Sequence, residues 1–320
     1  MGHGVWGRRF AGMAVALLLA SATPAAAVFT TGLNARSMSF DSQTRQYDVY
    51  VPASYDGSSA VPLVVDFHGA GSNKTQERSV SGFQALANSE GYIVAYPQGL
   101  FNTFNAGFCC GGAVSNNIDD VGFARALVDQ IAAEANIDRR RVYSTGLSNG
   151  GFMTHRLACE AADVFAAFAP TAAFIGVSPC TPSRPLALMM FMGLNDMTVP
   201  YGTAAPSFLS WRNNAQCVGV TPDETVIDGG SNCQTYTNCA DGVEVGLCSV
   251  NSGHVVYINP DIVVAATAWD FMSRFSLPAA LDSYKCYKAT DLKAPKFLGT
   301  TRTLSDEFGV NDGSFEATKP

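Results

Sequence analysis

Residues 142–151 constrain the fold of this 320-residue chain more than any other stretch. A β-branched and aromatic run at 142–145 leads into Gly146-Leu147-Ser148-Asn149-Gly150, and a helix-forming stretch at 152–161 follows at once. A Gly-x-Ser-x-Gly pattern between a strand and a helix is typical of a nucleophile elbow, a sharp turn that exposes the serine hydroxyl above a sheet. The two outer glycines leave space where strand and helix crowd together. The pattern therefore predicts that Ser148 is a nucleophile.

The N-terminus has the three parts of a secretory signal peptide. Arg8 and Arg9 form a basic region, residues 10–20 are apolar, and Ala25-Ala26-Ala27 provides a small-residue cleavage site. The alternative, a membrane anchor, is disfavoured because the apolar run is too short to span a bilayer. We predict that residues 1–27 are a signal peptide and that the mature protein is secreted and extracellular.

The net charge limits which macromolecules this chain can bind, and its cysteine content bears on disulfides and metal sites. The formal net charge is −7, and residues 1–27 carry arginines but no acidic residue, so the mature chain is more acidic still. We therefore expect no binding to nucleic acid or to anionic membranes. Most of the nine cysteines are expected to form disulfides in an exported chain, and their odd number leaves one without a partner in the chain. Few histidines accompany them, which disfavours a metal site.

Strands and helices alternate through residues 28–278, which predicts one α/β catalytic domain with a mostly parallel sheet and helices on both faces. Strands are predicted at 46–52, 62–67, 92–96, 142–145, 164–170, 186–192 and 243–250. Helices are predicted at 83–91, from 119 onwards, and at 152–161, 208–214 and 259–275, the last with Asn259 as its cap and Pro260 in its first turn. Residues 97–117 are predicted to be a loop, and the cysteine-rich residues 217–248 show little periodicity. Residues 279–320 are predicted to be a linker and a short C-terminal segment, either a small β-rich appendage or a disordered tail.

The base that would activate Ser148 has to be one of four histidines. His3 leaves with the signal peptide, His68 precedes a glycine-rich turn, and His155 lies in the helix after Ser148. His254 instead lies on a loop after a late strand, where the base of such a site belongs. An ordinary loop histidine is the alternative, and elimination favours the catalytic interpretation. We predict that His254 is the general base.

Asp196 is the predicted carboxylate partner of His254, because it follows the apolar strand at 186–192. The alternative is a turn or cap residue, a common role for an aspartate after a strand. Four competing aspartates lack a clear preceding strand, namely Asp163, Asp223, Asp228 and Asp241. The chain order Ser148, Asp196, His254 is that of the α/β-hydrolase fold.

Two backbone N–H groups are predicted to stabilise the negative charge that develops when a serine attacks a carbonyl group. One belongs to Asn149, directly after Ser148. The other belongs to Ala70, in the turn His68-Gly69-Ala70-Gly71. The alternative is that this turn is merely a tight glycine bend.

Taken together, these motifs resemble those of secreted esterases of the polyhydroxybutyrate-depolymerase type, a group that includes bacterial feruloyl and acetylxylan esterases. The resemblance covers roughly residues 38–276 and implies an α/β-hydrolase fold, a Ser148–Asp196–His254 triad, and no metal or organic cofactor. The sequences that carry it are His68-Gly69-Ala70-Gly71, Asn105-Ala106-Gly107-Phe108-Cys109-Cys110-Gly111, Asp119-Asp120-Val121-Gly122-Phe123, Arg140-Arg141-Val142-Tyr143, Gly146-Leu147-Ser148-Asn149-Gly150-Gly151, Arg156-Leu157-Ala158-Cys159 and the stretch from Asp196 to Tyr201.

Two departures from the family's pattern bear on substrate specificity. In family members, the turn that carries the catalytic aspartate usually begins with a histidine followed by a glycine. This chain has Met192 before Gly193 at that place. They also tend to have Thr-Trp-Pro or Cys-Trp-Pro after the catalytic histidine, where this chain has Val255-Val256-Tyr257. The second change lies beside the base and is expected to alter the acyl pocket.

Eight cysteines in the catalytic region suffice for four bridges. Cys159 with Cys180 is the preferred pair, because it ties the elbow helix to the following loop. A second group is expected to brace the loop that carries His254, with a member of the Cys109-Cys110 pair as an alternative partner; this group is Cys217, Cys233, Cys239 and Cys248. Cys286 is then the odd cysteine. The sequence from 286 to 320 resembles the start of a small C-terminal module in some secreted bacterial proteins, so a truncated module is a further hypothesis.

We interpret the chain as a secreted serine carboxylic-ester hydrolase that works through an acyl-enzyme. The expected substrate is an ester of an extracellular polymer, either a polyhydroxybutyrate-type polyester or a feruloyl or acetyl ester of plant polysaccharide. We expect a monomer whose partner is this substrate. Two alternatives remain. One is a non-catalytic secreted binding protein on a hydrolase scaffold, which predicts a broken triad, and the other is a peptidase of the same fold.

Overall fold

The computed structural model describes Met1, residues 29–279, and two short strands at 305–306 and 309–310. Residues 2–28, which hold most of the predicted signal peptide, lie outside the described residues, as do Cys286 and most of the predicted C-terminal segment. The chain divides into two compact units, Met1–Pro278 and Ala279–Pro320. In the second unit, Ser305–Asp306 pairs antiparallel with Gly309–Val310.

The first unit is built on a ten-stranded sheet. Its strands are β1 (Gly32–Phe40), β2 (Gln43–Val51), β3 (Val61–Phe67), β4 (Ile93–Pro97), β5 (Ile137–Leu147), β6 (Ala167–Thr171), β7 (Ala187–Gly193), β8 (Glu224–Asp228), β9 (Ser231–Tyr236) and β10 (Val245–Val250). Its helices are α1 (Lys74–Val80), α2 (Phe83–Glu90), α3 (Gly111–Ser115), α4 (Asp120–Glu134), α5 (Asn149–Glu160), α6 (Ala204–Asn214) and α7 (Val264–Met272).

The strand order is β1-β2-β4-β3-β5-β6-β7-β10-β9-β8. The six strands from β4 to β10 in this order are parallel, and the strands beyond them at each edge are antiparallel. Helices cover both faces, with α4 and α5 packed together and α2 packed on α7. The carboxyl ends of all six parallel strands therefore lie along one edge, which is where sheets of this kind bind ligands.

The central strands carry long apolar runs because both of their faces are covered. Every residue of β7 is buried, and so are Val142 to Leu147 of β5. A strand enclosed on both sides has no solvent face to mark with polar residues, so the alternating pattern disappears. The predicted fold class, α/β with a mostly parallel sheet, is confirmed.

The sequence pattern missed three elements near the edges. β1 precedes the first predicted strand, and β8 with β9 form a hairpin within 217–248. All five residues of β8 are exposed, because it is an edge strand of the sheet. An edge strand has little need of an apolar face, so its periodicity is weak.

The predicted start of the last helix at Asn259 is wrong. The helix α7 begins at Val264, and the Asn259 Oδ1 atom instead accepts hydrogen bonds from the N–H groups of Asp261 and Ile262 at 3.0 and 2.8 Å. An asparagine that bonds to its own backbone two residues on forms a turn with the same local sequence as a helix cap. The pattern of cap and proline therefore belongs to a turn that begins five residues before the helix.

Four disulfides brace the first unit, and the predicted pair Cys159–Cys180 is among them. The other bridges are Cys109–Cys110, Cys217–Cys239 and Cys233–Cys248. The alternative that Cys109 or Cys110 pairs with the cysteines around His254 is wrong. Cys233 and Cys248 lie directly opposite each other on antiparallel β9 and β10, so the strand register itself pairs them.

Among the described residues, no helix combines the length and the apolar character that crossing a bilayer requires.

Candidate active site

Ser148 lies in a strained turn between β5 and α5. Its φ of 55° and ψ of −116° fall in a region that residues with a side chain rarely adopt. Two backbone hydrogen bonds hold this turn, from the Ser148 N–H to the Thr171 carbonyl at 3.0 Å and from the Phe152 N–H to the Ser148 carbonyl at 2.8 Å. The predicted elbow geometry is therefore present, and the Ser148 side chain stays partly exposed at the carboxyl edge of the sheet.

Gly146 and Gly150, the outer glycines of the elbow, are required because backbone atoms of β3 lie very close to both positions. A Cβ atom on Gly146 would lie 2.5 Å from the Phe67 carbonyl oxygen, and one on Gly150 would collide with the same carbonyl group. Gly146 also has a φ of 159°. β3 thus packs so tightly against the start of α5 that no side chain fits at either position.

Asp196 and His254 lie in hydrogen-bond contact, 58 residues apart in the chain. The Asp196 Oδ2 atom is 2.8 Å from the Nδ1 atom of His254. Its Oδ1 atom accepts hydrogen bonds from the N–H groups of Thr198 and Val199 at 2.7 and 2.8 Å. The carboxylate is fully buried and the imidazole is 24% exposed, so the carboxylate is locked in place while the ring reaches solvent.

The sheet order explains this contact. β7 and β10 are neighbours, so the loops that follow them leave the sheet side by side. The Leu194 N–H donates to the Val250 carbonyl at 2.8 Å, and the Asn195 N–H donates to the Ser252 carbonyl at 2.9 Å. These backbone bonds join the loop that carries Asp196 to the loop that carries His254.

The loop of His254 also approaches the elbow. The Thr171 carbonyl accepts the Ser148 N–H, and the Thr171 Oγ1 atom is 3.5 Å from the hydroxyl of Tyr257, three residues after His254. Within residues 29–279, no hydrogen bond joins the Ser148 hydroxyl to His254. Catalytic hydrogen bonds are often long without substrate and tighten in the substrate complex.

The other two described histidines are buried and serve the structure. Burial lowers the pKa of His68 to about 4 and that of His155 to about 3, so both rings are neutral at ordinary pH. The His68 Nε2 atom accepts the Gly99 N–H at 3.0 Å, which leaves Nδ1 to donate to the Gly69 carbonyl at 2.8 Å. The His155 Nδ1 atom accepts from the indole N–H of Trp211 at 3.1 Å.

The two predicted oxyanion donors, Asn149 and Ala70, belong to the helix and to the turn that adjoin Ser148. Asn149 is the first residue of α5, where backbone N–H groups have no partner within the helix. Ala70 lies in the exposed turn after β3, and a Cβ atom on Gly69 would lie 3.5 Å from the Cβ of Ser148. The neutral His68 ring and a bond from the Gly71 N–H to the Asn102 carbonyl at 2.9 Å hold this turn.

Sequence reasoning missed a buried pair of carboxyl groups, Asp66 and Glu77. Asp66 lies on β3 and Glu77 on α1, and both are almost completely buried. Within residues 29–279, both carboxyl oxygens of Asp66 and the Oε1 atom of Glu77 lack a hydrogen-bond partner. The single acidic residue in the otherwise apolar run of β3 could have revealed that Asp66 is buried, but it does not point to Glu77.

We predict that this pair makes the protein less stable as the pH rises from about 4 to about 7. Burial raises the pKa of Asp66 to about 7, and burial followed by the charge of Asp66 raises the pKa of Glu77 well above its usual range. The folded protein thus holds protons that the unfolded chain releases above about pH 4. The stability that Asp66 and Glu77 contribute in their protonated form is greatest below that pH. It is lost as the pH rises through the pKa values that the two groups have in the folded protein.

Urea unfolding across this range tests the prediction. In Asp66→Asn the loss of unfolding free energy between about pH 4 and 7 is expected to shrink by on the order of 2–4 kcal/mol. Asp129→Asn removes an exposed carboxylate and is the matched control. Equal pH dependence in the wild type and Asp66→Asn contradicts the prediction.

The sheet topology and the site together define a class of protein. A serine in a strained turn after β5, an aspartate after β7 and a histidine after β10 occupy one edge of a parallel sheet, in the chain order of the α/β-hydrolases. The fold is that of the α/β-hydrolases, and the three predicted catalytic residues follow its strands in the order that this superfamily uses.

Comparison with known proteins narrows this class to a family. Residues 45–179 match the family model described as Esterase PHB depolymerase. Feruloyl esterase B of Piromyces equi is 32% identical over 255 residues, which cover 73% of this chain and 46% of that protein. Poly(3-hydroxyalkanoate) depolymerase C of Paucimonas lemoignei is 36% identical over 119 residues, covering 35% of this chain and 27% of that protein. Residues 45–179 are therefore similar to the domain that this family model describes, and the resemblance predicted from the motifs is confirmed.

Comparison with solved structures supports the same fold. The structure titled acetyl xylan esterase from Aspergillus awamori superposes with a TM-score of 0.59 at 15% identity, covering 76% of this chain and 99% of that one. The chain spans about half the length of feruloyl esterase B and 34% of the length of the bifunctional acetylxylan esterase/xylanase XynS20E of Neocallimastix patriciarum, with which it shares 26% identity over 73% of this chain.

Proposed function

We propose that this protein is a secreted serine carboxylic-ester hydrolase that works through an acyl-enzyme. The observation that carries the proposal is the contact between Asp196 and His254 at the same sheet edge as the strained Ser148. The relatives named as feruloyl esterase and polyhydroxyalkanoate depolymerase support the same reaction class. In this proposal the mature chain starts at Val28, acts outside the cell as a monomer, and binds neither nucleic acid nor membrane.

Acylation begins when the Ser148 hydroxyl attacks the ester carbonyl carbon. The Nε2 atom of His254 takes the hydroxyl proton, and the N–H groups of Asn149 and Ala70 stabilise the oxyanion that forms. Collapse of the tetrahedral intermediate breaks the ester C–O bond. The leaving alcohol takes the proton from His254, and the acyl group remains bound to Ser148.

Deacylation repeats these steps with water. His254 removes a proton from a water molecule, which attacks the acyl carbon and regenerates Ser148 with release of the acid. Asp196 keeps His254 in the tautomer that has its proton on Nδ1, and its negative charge steadies the imidazolium. Because the two backbone N–H bonds occupy Oδ1, only Oδ2 faces the ring.

For the substrate, we favour an aromatic acyl ester such as a feruloyl group on plant polysaccharide. Phe108 is 73% exposed on the loop next to Asn149, and its ring lies 5.9 Å from that of Phe174. Phe174 in turn lies 4.7 Å from the ring of Phe152, on the first turn of α5. This row of rings runs from the loop to the elbow helix and suits a planar acyl group.

A polyester of the polyhydroxybutyrate type is the second candidate substrate. Loops at the carboxyl edge of the sheet expose several large apolar side chains, and such exposure suits contact with an apolar polymer surface. These residues are Phe101, Phe108, Leu194, Met197 and Ile258.

The test is hydrolysis of p-nitrophenyl butyrate, methyl ferulate and polyhydroxybutyrate film by the purified mature protein with its disulfides intact. We expect release of p-nitrophenol, and a higher kcat/KM for methyl ferulate than for methyl acetate. A peptide p-nitroanilide is expected to remain uncleaved, which separates an esterase from a peptidase. The proposal fails if the intact protein hydrolyses none of these esters, and a non-catalytic binding protein then becomes the better interpretation.

A further inference from the structure

The side chain of Asn149 is bonded to a loop that follows β4. We call residues 98–110 the elbow-facing loop. The Phe104 N–H donates to the Asn149 Oδ1 atom at 2.6 Å, and the Asn149 Nδ2 group donates to the Phe104 and Cys109 carbonyls at 3.0 and 3.2 Å. Asn149 is fully buried. The orientation of the first residue of α5, including its N–H group, therefore depends on where this loop lies.

Asn105, the next residue of the elbow-facing loop, is bonded through its backbone N–H and carbonyl groups to side chains of α4 and α5. The Asn105 N–H donates to the Asp120 Oδ2 atom at 2.7 Å, and the Arg156 guanidinium donates to the Asn105 carbonyl at 2.7 Å. Asp120 is the first residue of α4, and Arg156 lies on α5, seven residues after Asn149. Adjacent peptide groups of one loop are thus attached to α4 and, at two points, to the elbow helix.

Arg45 completes this arrangement beneath the surface. Its guanidinium lies 2.5 Å from the Asp120 Oδ1 atom and 3.7 Å from the centre of the Phe123 ring. The Arg45 and Asp120 side chains are 1% and 0% exposed. A buried ion pair contributes little net stability because both charges lose their water, so stability alone is a weak reason for its presence.

We propose that Asp120, with Arg45, is a positioning residue that holds the elbow-facing loop and, through it, the Asn149 N–H that stabilises the oxyanion. This inference rests on the proposed function. Asp120 touches no reacting atom and acts through three links: its bond to Asn105, the adjoining Phe104 peptide, and the side chain of Asn149. It also gives the Asp119-Asp120 sequence at the start of α4 a role beyond the helix cap that Asp119 provides.

The physical consequence concerns the rate of the chemical step more than substrate binding. Losing an oxyanion donor costs about 10²- to 10³-fold in kcat, and a donor that is misplaced but still present is expected to cost about 10- to 100-fold. The ground-state ester makes a weaker bond to this N–H than the transition state does, so KM should change little.

Two double variants separate this role from a merely structural one. Arg45→Met/Asp120→Leu and Arg45→Met/Asp120→Asn both remove the buried charges, and buried ion pairs often tolerate replacement by uncharged groups of similar size. The two differ in whether position 120 still accepts the Asn105 N–H. We expect kcat for p-nitrophenyl butyrate, per site titrated with a phosphonate inhibitor, to fall about 10- to 100-fold in the Leu variant. The Asn variant should recover most of that loss.

Two further measurements make the test independent of folding and of activity. Arg156→Gln removes the partly exposed donor to the Asn105 carbonyl, and a kcat loss of a few-fold is expected even if the double variants do not fold. Amide hydrogen exchange of Phe104 should quicken in the Leu variant and not in the Asn variant, whether or not the protein is an esterase. An exposed pair, changed by Arg139→Met/Asp129→Asn, is the control and should leave kcat unchanged.

The outcomes are distinct. Equal kcat per titrated site in the Leu and Asn variants, with Phe104 exchange unchanged, overturns the positioning role and leaves the proposed function intact. If the double variants do not fold, an unchanged kcat in Arg156→Gln overturns it in the same way. A wild type without esterase activity defeats the proposed function, while the exchange measurement still decides whether Asp120 holds the loop against Asn149.

Discussion

Ser148→Ala is expected to lower kcat for p-nitrophenyl butyrate by about 10⁴- to 10⁶-fold. Alanine removes the only atom that attacks the ester in the proposed mechanism and leaves the oxyanion donors in place. It keeps a Cβ at the strained φ of 55°, so the elbow and the overall stability should change little. The measurement is steady-state turnover together with a thermal melt.

The matched control for this variant is Ser144→Ala. Ser144 lies on β5 four residues before Ser148, and its hydroxyl is 3.2 Å from that of Thr154, away from the elbow. Its loss is expected to cost about 1 kcal/mol of stability and no more than a few-fold in activity. Retention of more than a tenth of wild-type turnover in Ser148→Ala would show that another residue is the nucleophile.

Asp196→Asn is expected to lower kcat by about 10⁴-fold without disturbing the fold. The two N–H groups of Thr198 and Val199 need an acceptor, so the amide oxygen should take the place of Oδ1 and the NH₂ group that of Oδ2. The NH₂ group then donates to the Nδ1 atom of His254 and forces the ring proton onto Nε2. In that tautomer His254 cannot accept the Ser148 proton.

This prediction is checked by kcat and by the rate of phosphonate labelling of Ser148, which should fall together. Asp228→Asn is the control, since Asp228 is an exposed residue of β8 that competes with Asp196 on sequence alone. Turnover within tenfold of the wild type in Asp196→Asn would mean that this carboxylate does not orient the base.

Much of the fold could be predicted because its signals are local. The apolar runs of β3 and β7 and the periodicity of α4 depend on neighbours in sequence. Both strands lie within a residue of their predicted bounds, and α4 begins one residue after its predicted start. β1, β8 and the start of α7 could not be predicted in the same way. Edge strands have no enclosed face, and a turn at Asn259 carries the same residues as a helix cap.

The candidate site likewise has residues that a local sequence signal predicts and residues that no such signal predicts. Ser148, Asp196 and His254 are predicted from what precedes them in the chain, a strand in each case. The attachment of Asn149 to the elbow-facing loop and the burial of Arg45 against Asp120 had no such signal, because these contacts join residues 45 and 75 positions apart. Nor did any local pattern indicate that Asp66 and Glu77 are buried together.

The class of fold, the nucleophile elbow and the order of the predicted catalytic residues thus follow from the amino-acid sequence, because each depends on the periodicity and turn chemistry of a short stretch. Which side chains meet depends instead on how the whole chain packs. The 2.8 Å contact of Asp196 with His254 exists because β7 and β10 are neighbours in the sheet, and the Cys233–Cys248 bridge exists because β9 pairs with β10. Strand order is a property of the whole packed chain, in which many weak long-range contacts act together, and no single stretch of sequence contains it.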